Sequence, residues 1–519
     1  MAAAQAALGR RGASKEFNGL VTEILTQDMQ MKQCEVAPCF YYDKVKDIAM
    51  ELHQDDFYVA TPPQFAKDFV AQLRKRLMLK ASEPLVAGCK WQHLKMTRVR
   101  SADGIMIMPN AKYTREIVKS LGLEGCKPAP TPLLSSIPKE EDSVRVGLAQ
   151  IKTFRHCVGV GRFLENSRYD ISYATKELSG FLTDVTEDAM IALKRYGKYL
   201  AGTEDMGIWF PSQGEPEYID ADTDSDWAGC KRTRKSTTSG CVMIAGCLMS
   251  HQSKNQGVIA TSSGEAEFYA VSSNSSIAIH LQRVLDFFGF SLKIRMRMDS
   301  SVAKAISLRI GVGKIRHLEV RTLWVQRAVK EGIISPIKIG TEENSGDMGT
   351  KALSRERIMK LCAQVNMRKF SGADKITESQ TVGAISSTPG CRGSVLLALA
   401  TFLTQLDMVR AEDGDPVGVS YVWMVALLSI TLNVILAGHL ISMKITAYIE
   451  MKTRVAIEAA TQTNAVAETT SNHSVVNEIF VTKFGERYHT STSCRGLRNA
   501  GADSTSLRTP CLLCRPHLG

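Results

Sequence analysis

The pattern of apolar and polar positions divides the chain into zones. Residues 1–150 alternate short apolar runs with charged stretches of helical spacing. They close on a proline-rich strip, KPAPTPLLSSIPKEED, which reads as an extended linker. Residues 151–210 carry apolar positions at helical spacing behind Thr and Asp caps, as in FLTDVTEDAMIALKRYGKYLAGT, and so predict helices. Over residues 215–365 the spacing predicts strand, strand, strand, helix, strand, helix, helix, strand, helix. Residues 366–393 are polar and rich in Gly, Ser and Thr, which predicts a disordered linker. No internal repeat is visible.

Beyond that linker the character changes. VLLALATFL, at 395–403, is too short to span a bilayer, which takes roughly 20 apolar residues. YVWMVALLSITLNVILAGHLISM, at 421–443, is about long enough. Tyr421 and Trp423 stand at one end, and Lys444, Lys452 and Arg454 lie beyond the other. The segment is therefore expected to be a transmembrane helix with its basic side in the cytoplasm. A buried core helix is the alternative, because Asn433 and His439 lie inside it.

Composition narrows the class. With 519 residues, 44% hydrophobic and 23% charged, the chain is neither a disordered tail nor a disulfide scaffold. At roughly 100–200 residues per domain it holds three to four units. A net charge of +11 suits a polyanionic partner such as nucleic acid or anionic lipid, although solvated basic faces give the same balance. The 13 cysteines are scattered and odd in number, and no secretory signal opens the chain. A reduced, intracellular protein is expected, with most cysteines acting as small buried hydrophobes.

The chemistry concentrates in residues 217–350. EPEYIDADTDSDWAG places Asp222, Asp224 and Asp226 on alternate positions, so that they share one strand face. Carboxylates so grouped repel one another unless a cation sits between them. A basic patch follows, Lys231, Arg232, Arg234 and Lys235, with Lys254 on the third strand. The segment TSSGEAEFYAVSSNSSIAIHLQRVLDFF predicts a helix capped by Ser262 or Ser263, with Glu265 and Glu267 in its first turn. LKIRMRMDSSVAKAISL predicts a strand ending at Asp299 and then a helix, and GTEENSGDMGTKALS places Asp347 at the start of another. If these ends converge, Asp224, Glu267, Asp299 and Asp347 form a set of hard oxygen ligands suited to two Mg²⁺ ions. Each taken singly reads better as a helix cap or a surface charge.

These residues resemble a known family. DTDSDWAGCKRTRKSTTSGCVMIAGCLMSHQSKNQGVIATSSGEAEFYA is similar to the ribonuclease H domain of copia-type LTR retrotransposon Pol polyproteins, whose pattern runs SDADWAG, RKSTSGY, SWKSKKQ and SSTEAEY. MDSSVAKAI resembles that family's CDNQSAI, RHLEVR its KHIDIR, and SGDMGTKALS its LADILTKPL. The resemblance implies an α/β fold, a ribonuclease H-like five-stranded mixed sheet flanked by helices. It implies the RNA strand of an RNA–DNA hybrid as substrate, cleaved by Mg²⁺-dependent hydrolysis. The family's metal-binding carboxylates fall on Asp224, Glu267, Asp299 and Asp347. Asp224 would bridge both metals, Glu267 and Asp299 would hold one, and Asp347 the other. Glu267 is preferred to Glu265 because EFYA follows it as in the family, and Asp226 reads as a neighbour. The family's Asn-Gln is Ser300-Ser301 here, and its Ala-Asp is Gly346-Asp347. Lys231, Arg232, Arg234, Lys235 and Lys254 are expected to contact phosphates of the hybrid. His317, Glu319 and Arg321 read as structural or hybrid-facing, and His251, in place of an aromatic, as packing.

Upstream, residues 20–135 resemble the C-terminal half of the same family's reverse transcriptase, a palm and thumb remnant, and 136–210 the connection that follows it. CEVAPCFYYDK resembles its Q-x-DPCLF block, and ELHQDDFYVA stands where the family has a YVDD strand–turn–strand. KYTREIVKSLGLEGCKPAPTPL is similar to the segment after the palm. Asp55 and Asp56 then match the paired polymerase carboxylates, while His53 and Gln54 depart from the family's Tyr-Val. A further Asp from an earlier palm strand is missing, so no polymerase activity is expected. An isolated half-palm is also expected to expose apolar surface, and so to fold poorly or to associate, for instance with other Pol chains.

The tail adds one more constellation within residues 479–517. His489 and Cys494 followed by Cys511 and Cys514 have the spacing of a small zinc knuckle, with His517 as a competing ligand. Unliganded cysteines are the alternative. Together these features predict a ribonuclease H in residues 215–365, with Mg²⁺ as cofactor, Zn²⁺ in the tail and a membrane contact through 421–443. The competing reading is a catalytically decayed nucleic-acid-binding or membrane-attached remnant.

Overall fold

The computed structural model describes residues 13–370, apart from 83, 139–142, 213–215, 232 and 314, and the backbone of five short strands farther along. It divides into two units, residues 1–414 and 415–519.

The first unit is α/β with mixed sheets. Helix α1 (Ala13–Glu23) leads into strands β1 (Lys32–Gln33), β2 (Phe40–Asp43), β3 (Ile48–His53) and β4 (Asp56–Ala60), followed by α2 (Pro63–Arg74). These strands pair antiparallel in order β1-β2-β3-β4. Their alternation serves two cores at once. Tyr41, Ile48, Met50, Leu52 and Val59 pack with Val21, Ile24 and Leu25 and with Phe69 and Leu73 of α2. Phe40, Ala49, Tyr58 and Ala60 face the largest core of the molecule. Both faces of this sheet thus find apolar partners within the chain, while Val45 and Met78 stay exposed. Phe40 and Tyr42 meet the ring of Phe288 edge-on, at 5.9 and 5.3 Å between centroids.

A second sheet follows, built from β5 (Cys89–His93), β6 (Met96–Ser101) and β7 (Gly104–Pro109). Helices α3 (Ala111–Ser120), α4 (Leu148–Glu165), α5 (Ser172–Ser179) and α6 (Glu187–Ala201) form a separate apolar cluster. The proline-rich strip has neither helix nor strand over its described residues, yet Leu133 and Ile137 are buried in that cluster. It is packed irregular chain, because its apolar residues found partners. Strand β8 (Met206–Pro211) then joins β7 antiparallel.

The third sheet contains β9 (Tyr218–Asp226), β10 (Thr237–Ile244) and β11 (Cys247–Asn255). Helix α7 (Ser263–Phe287) precedes β12 (Lys293–Met298), and α8 (Ser301–Leu308) and α9 (Trp324–Lys330) precede β13 (Ile334–Lys338). The order is β11-β10-β9-β12-β13. β10 is antiparallel to β9 and β11, whereas β12 is parallel to both β9 and β13. This is a five-stranded mixed sheet with helices, in the element order that the spacing predicts. Helix α10 (Arg355–Gln364) ends the stretch, and β14 (Met367–Lys369) returns to pair with β8. Two short strands, β15 (Thr377–Glu378) and β16 (Ala384–Ser386), run parallel to β5 and β4.

In the second unit, β17 (Phe480–Val481) and β18 (Arg487–His489) are antiparallel, and β19 (Thr509–Pro510) runs parallel to β18. Residues 421–443 lie outside the described residues, as do Cys494, Cys511, Cys514 and His517. Among the described residues no helix is long and apolar enough to cross a membrane.

Candidate active site

Two parallel strands bring the first carboxylates level. Met298, the last residue of β12, is in register with Thr223 of β9, so Asp299, just past the end of β12, comes level with Asp224, which β9 still holds opposite Ser239 of β10. This is the carboxyl edge of adjacent parallel strands, where α/β sheets commonly present their ligands.

Helix α7 supplies the third. Ser262 caps it by accepting from the Glu265 backbone N–H. That leaves Glu265 in the first turn and sets Glu267 one residue beyond it, a correction to the expected placement of both in the first turn. Polar staples fix the helix on the sheet. Asn274 Nδ2 donates to Thr223 Oγ1 at 2.9 Å, to the Ser239 carbonyl at 2.9 Å and to the Ala270 carbonyl at 3.1 Å. This close approach needs Gly240, where a Cβ would meet the Asn274 amide at 2.3–2.4 Å. Gln256 Nε2 donates to Ser225 Oγ, Thr238 Oγ1 and the Ala266 carbonyl, and so ties the neighbours of Asp224 and Glu267 together.

As a result, carboxylate oxygens of Asp224, Glu267 and Asp299 lie within 4.8 Å of one another. Each has a further protein contact. Thr350 donates to Asp224 Oδ2 at 2.6 Å, Thr341 donates to Asp299 Oδ2 at 2.9 Å, and the Ser225 backbone hydrogen-bonds to Glu267. Glu267 Oε2 is buried without a hydrogen-bond partner.

Asp347 arrives on a 3₁₀ turn, Ser345–Gly349, instead of the start of an α-helix. Asn344, fully buried, pins that turn by donating to the Thr223 carbonyl at 3.0 Å, and its Oδ1 accepts from Gly346 N at 3.1 Å. The departure to glycine at 346 has a steric reason: a Cβ there would meet Asp224 Cβ at 2.7 Å and Asp224 N at 2.9 Å. Asp347 lies close enough to raise the Asp224 pKa, but cations of the chain engage both its oxygens. Lys351 Nζ is 2.6 Å from Oδ1, and Arg357 Nη2 is 3.0 Å from Oδ2.

The electrostatics follow from burial and like charge. Burial, then the charges of Asp224 and Asp299, push Glu267 up to about 9. Burial, then Asp347, push Asp224 up to about 6. Burial alone would lower the Lys351 pKa, yet its hydrogen bond to Asp347 and the nearby carboxylates raise it. An oxygen-only donor set, mutual repulsion and an orphaned buried carboxylate oxygen together fit a hard divalent cation such as Mg²⁺.

The other acidic residues of β9 do not join this cluster. Asp222 is fully buried but accepts from Ser345 N at 3.1 Å and pairs with Arg297 Nε at 3.0 Å. Asp226 accepts from the Thr237 backbone. Their repulsion is relieved by the protein, so only Asp224 contributes a candidate ligand from this strand. Glu265 is spent on Tyr269 OH at 2.6 Å, Thr261 at 2.8 Å and His317 Nε2 at 3.0 Å. Burial works against ionisation of Glu265, and these bonds outweigh it and lower its pKa. Glu319 and Arg321 pair with each other. His251 is buried, stacks on Tyr169 at 4.8 Å and hydrogen-bonds the Glu165 carbonyl, a packing role.

Among the basic residues, Lys231, Arg234 and Lys254 are exposed and Lys235 is half-buried, while Arg232 lies outside the described residues. Asp55 and Asp56 occupy the tip of the β3–β4 hairpin, where His53 pairs with Asp56 and Gln54 adopts φ 56°. Burial, then the charge of Asp55, raise the Asp56 pKa.

No family model matches the chain. It is 28% identical over 261 residues to the retrovirus-related Pol polyprotein from transposon RE1 of Arabidopsis thaliana, covering 50% of this chain and 18% of that protein. It is 26% identical over 340 residues to the corresponding polyprotein from transposon TNT 1-94 of Nicotiana tabacum, covering 63% of this chain and 25% of that one. The chain therefore spans a quarter or less of the length of these relatives. A solved foamy viral protease–reverse transcriptase in complex with RNA/DNA hybrid aligns with 64% of this chain and 39% of its own, at 10% identity and a TM-score of 0.38. The motif blocks and the alignments to both plant transposon polyproteins agree: the chain belongs to the retrovirus-related Pol polyproteins of copia-type retrotransposons.

Proposed function

We propose that residues 215–365 are a ribonuclease H that hydrolyses the RNA strand of RNA–DNA hybrids with Mg²⁺. The observation that carries this reading is the convergence of Asp224, Glu267 and Asp299 within 4.8 Å, beside Asp347. A bound divalent cation would supply charge neutralisation at the scissile phosphate and activation of the attacking water. The residues do the rest. Asp224, Glu267 and Asp299 would present oxygen ligands from β9, α7 and the end of β12, and Asp347, held by Lys351 and Arg357, stands beside them as a fourth candidate. Thr350 and Thr341 each hold one oxygen of a ligand carboxylate. The exposed Lys231, Arg234 and Lys254 would meet phosphates of a hybrid, whose A-like shape is read through its backbone and 2′-hydroxyls.

The Asp55–Asp56 hairpin is a polymerase-type feature for which we assign no activity to this chain. The experiment that separates catalysis from binding compares wild type with Asp224→Asn on a labelled hybrid. Cleavage should vanish while hybrid affinity stays within about twofold; equal loss of both would contradict the ligand role of Asp224.

A further inference from the structure

Arg357 is the third residue of α10, and its side chain is only 14% exposed. Its guanidinium makes four bonds. Nη1 donates to the Glu342 carbonyl at 2.7 Å and to Glu342 Oε2 at 2.6 Å. Nη2 donates to the Thr341 carbonyl at 2.6 Å and to Asp347 Oδ2 at 3.0 Å. The same Thr341 donates its hydroxyl to Asp299 Oδ2 at 2.9 Å. One planar cation therefore joins two carboxylates that come from different parts of the chain: Asp347 directly, and Asp299 through Thr341. Ser354 fixes the base of this arrangement by capping α10 at the Arg357 backbone N–H.

We propose that Arg357 is a positioning residue for the metal ligands: its fork sets the separation and orientation of Asp299 and Asp347 before a cation arrives. The proposal rests on the nuclease reading above. It also explains why the cations on Asp347 differ in kind. Lys351, half exposed and four residues on, offers a flexible point charge to Oδ1, whereas Arg357 holds Oδ2 in a plane that a lysine cannot reproduce. Partners of this type, one step removed from a metal, typically change metal affinity or activity by about 10–100-fold when removed. The partners of the Arg357 guanidinium are Glu342, Thr341 and Asp347, so its loss should weaken the cation site without removing a ligand.

The test is calorimetric titration of Mg²⁺ alone into the full chain, with no nucleic acid present. Wild type is compared with Arg357→Gln, Arg357→Lys, Thr341→Val and Asp224→Asn, each checked for folding by its thermal melt. Arg357→Gln should weaken Mg²⁺ binding by about 10–100-fold, with Arg357→Lys intermediate and Thr341→Val shifted in the same direction. In cleavage assays the Mg²⁺ concentration for half-maximal rate should rise in parallel while KM for the hybrid holds. Wild-type or tighter Mg²⁺ binding by Arg357→Gln would overturn the proposal, the latter identifying Arg357 as a competing cation. Should Arg357→Gln fail to fold, unchanged binding by both Arg357→Lys and Thr341→Val would overturn it instead. If Asp224→Asn binds Mg²⁺ as tightly as wild type, the metal site itself is wrong, a result distinct from failure of the Arg357 role.

Discussion

Thr350 donates its hydroxyl to Asp224 Oδ2 at 2.6 Å, a bond that joins residues 126 positions apart in the chain. It commits one oxygen of the central carboxylate to the protein and leaves the second for a cation. Replacing Thr350 with Val keeps the shape and deletes the donor. Cleavage is expected to fall about 10–100-fold, with Thr350→Ser restoring most of it. Steady-state hydrolysis of a labelled hybrid measures this, and an unimpaired Thr350→Val would remove the bond from the account.

The raised carboxylates make stability depend on pH in a direction that can be checked. Burial and like charge hold Glu267 at about 9 and Asp224 at about 6, both above the unfolded carboxylate range near 4. Without a cation, the folded state keeps protons that the unfolded chain releases. The contribution of these groups is therefore fully present below about pH 4 and is lost as pH rises toward about 9. Mg²⁺ favours the ionised forms, so its stabilisation should be small near pH 5 and large near pH 8.5. Calorimetric melts with and without Mg²⁺ at these two values decide the point. Glu267→Gln should flatten the dependence; a Mg²⁺ effect of equal size at both pH values would count against the cluster.

The contact between α7 and the sheet has no slack. A methyl at position 240 would strike the Asn274 amide at 2.3–2.4 Å, and Asn274 makes three buried hydrogen bonds. Gly240→Ala is expected to cost about 1–3 kcal/mol by overpacking, and to lower cleavage because Glu267 rides on the same helix. Urea denaturation gives the first quantity and the hybrid assay the second. Retention of both would mean that the helix does not set the carboxylate geometry.

The helical segment before β8 holds a buried ion pair of full hydrogen bonding. Arg168 donates to both oxygens of Asp170 at 2.8 and 2.7 Å, and Tyr199 OH donates to Asp170 Oδ2 at 2.7 Å. Asp170→Ala strands a buried guanidinium and should cost about 3–5 kcal/mol in urea denaturation. Replacing both partners with apolar residues should cost far less. The segment also reaches the β9–β13 sheet, since Tyr169 OH lies 2.8 Å from Ser239 Oγ. Loss of Asp170 should therefore lower the melting temperature of that part of the chain too.

Zinc in the tail is a proposal that rests on the spacing of His489, Cys494, Cys511 and Cys514. One zinc per chain is expected by metal analysis of the purified protein, reduced by His489→Ala or by Cys511→Ser with Cys514→Ser. A chain free of zinc after purification in zinc-supplemented medium would refute it.

Much of the candidate site is legible in the sequence because its residues sit in local patterns. Alternating strands, an N-capped helix and a strand ending at Asp299 are each readable within a dozen residues. The rest depends on partners distant in sequence. Asp222 and Asp226 share a strand face with Asp224, but that Arg297, Ser345 and Thr237 satisfy them is seen only in the fold. Asn274, Gln256, Thr350 and Arg357 carry no local signal of their roles, because each acts across the fold. Gln256 ends the SHQSKNQ block and Thr350 and Lys351 fall within SGDMGTKALS, so the motifs held a clue to their importance but not to their contacts. The packing of the β1–β4 sheet was equally hidden. Its second apolar face is buried against residues as distant in sequence as Phe288, beyond the reach of any periodicity.

The most direct measurement uses the full chain and a hybrid whose RNA and DNA strands carry different end labels. With Mg²⁺, fragments of the RNA strand alone are expected, with none in EDTA and none from Asp224→Asn. A folded wild-type chain that binds Mg²⁺ and hybrid yet leaves the RNA strand intact, or one that cuts both strands, would contradict the ribonuclease H reading.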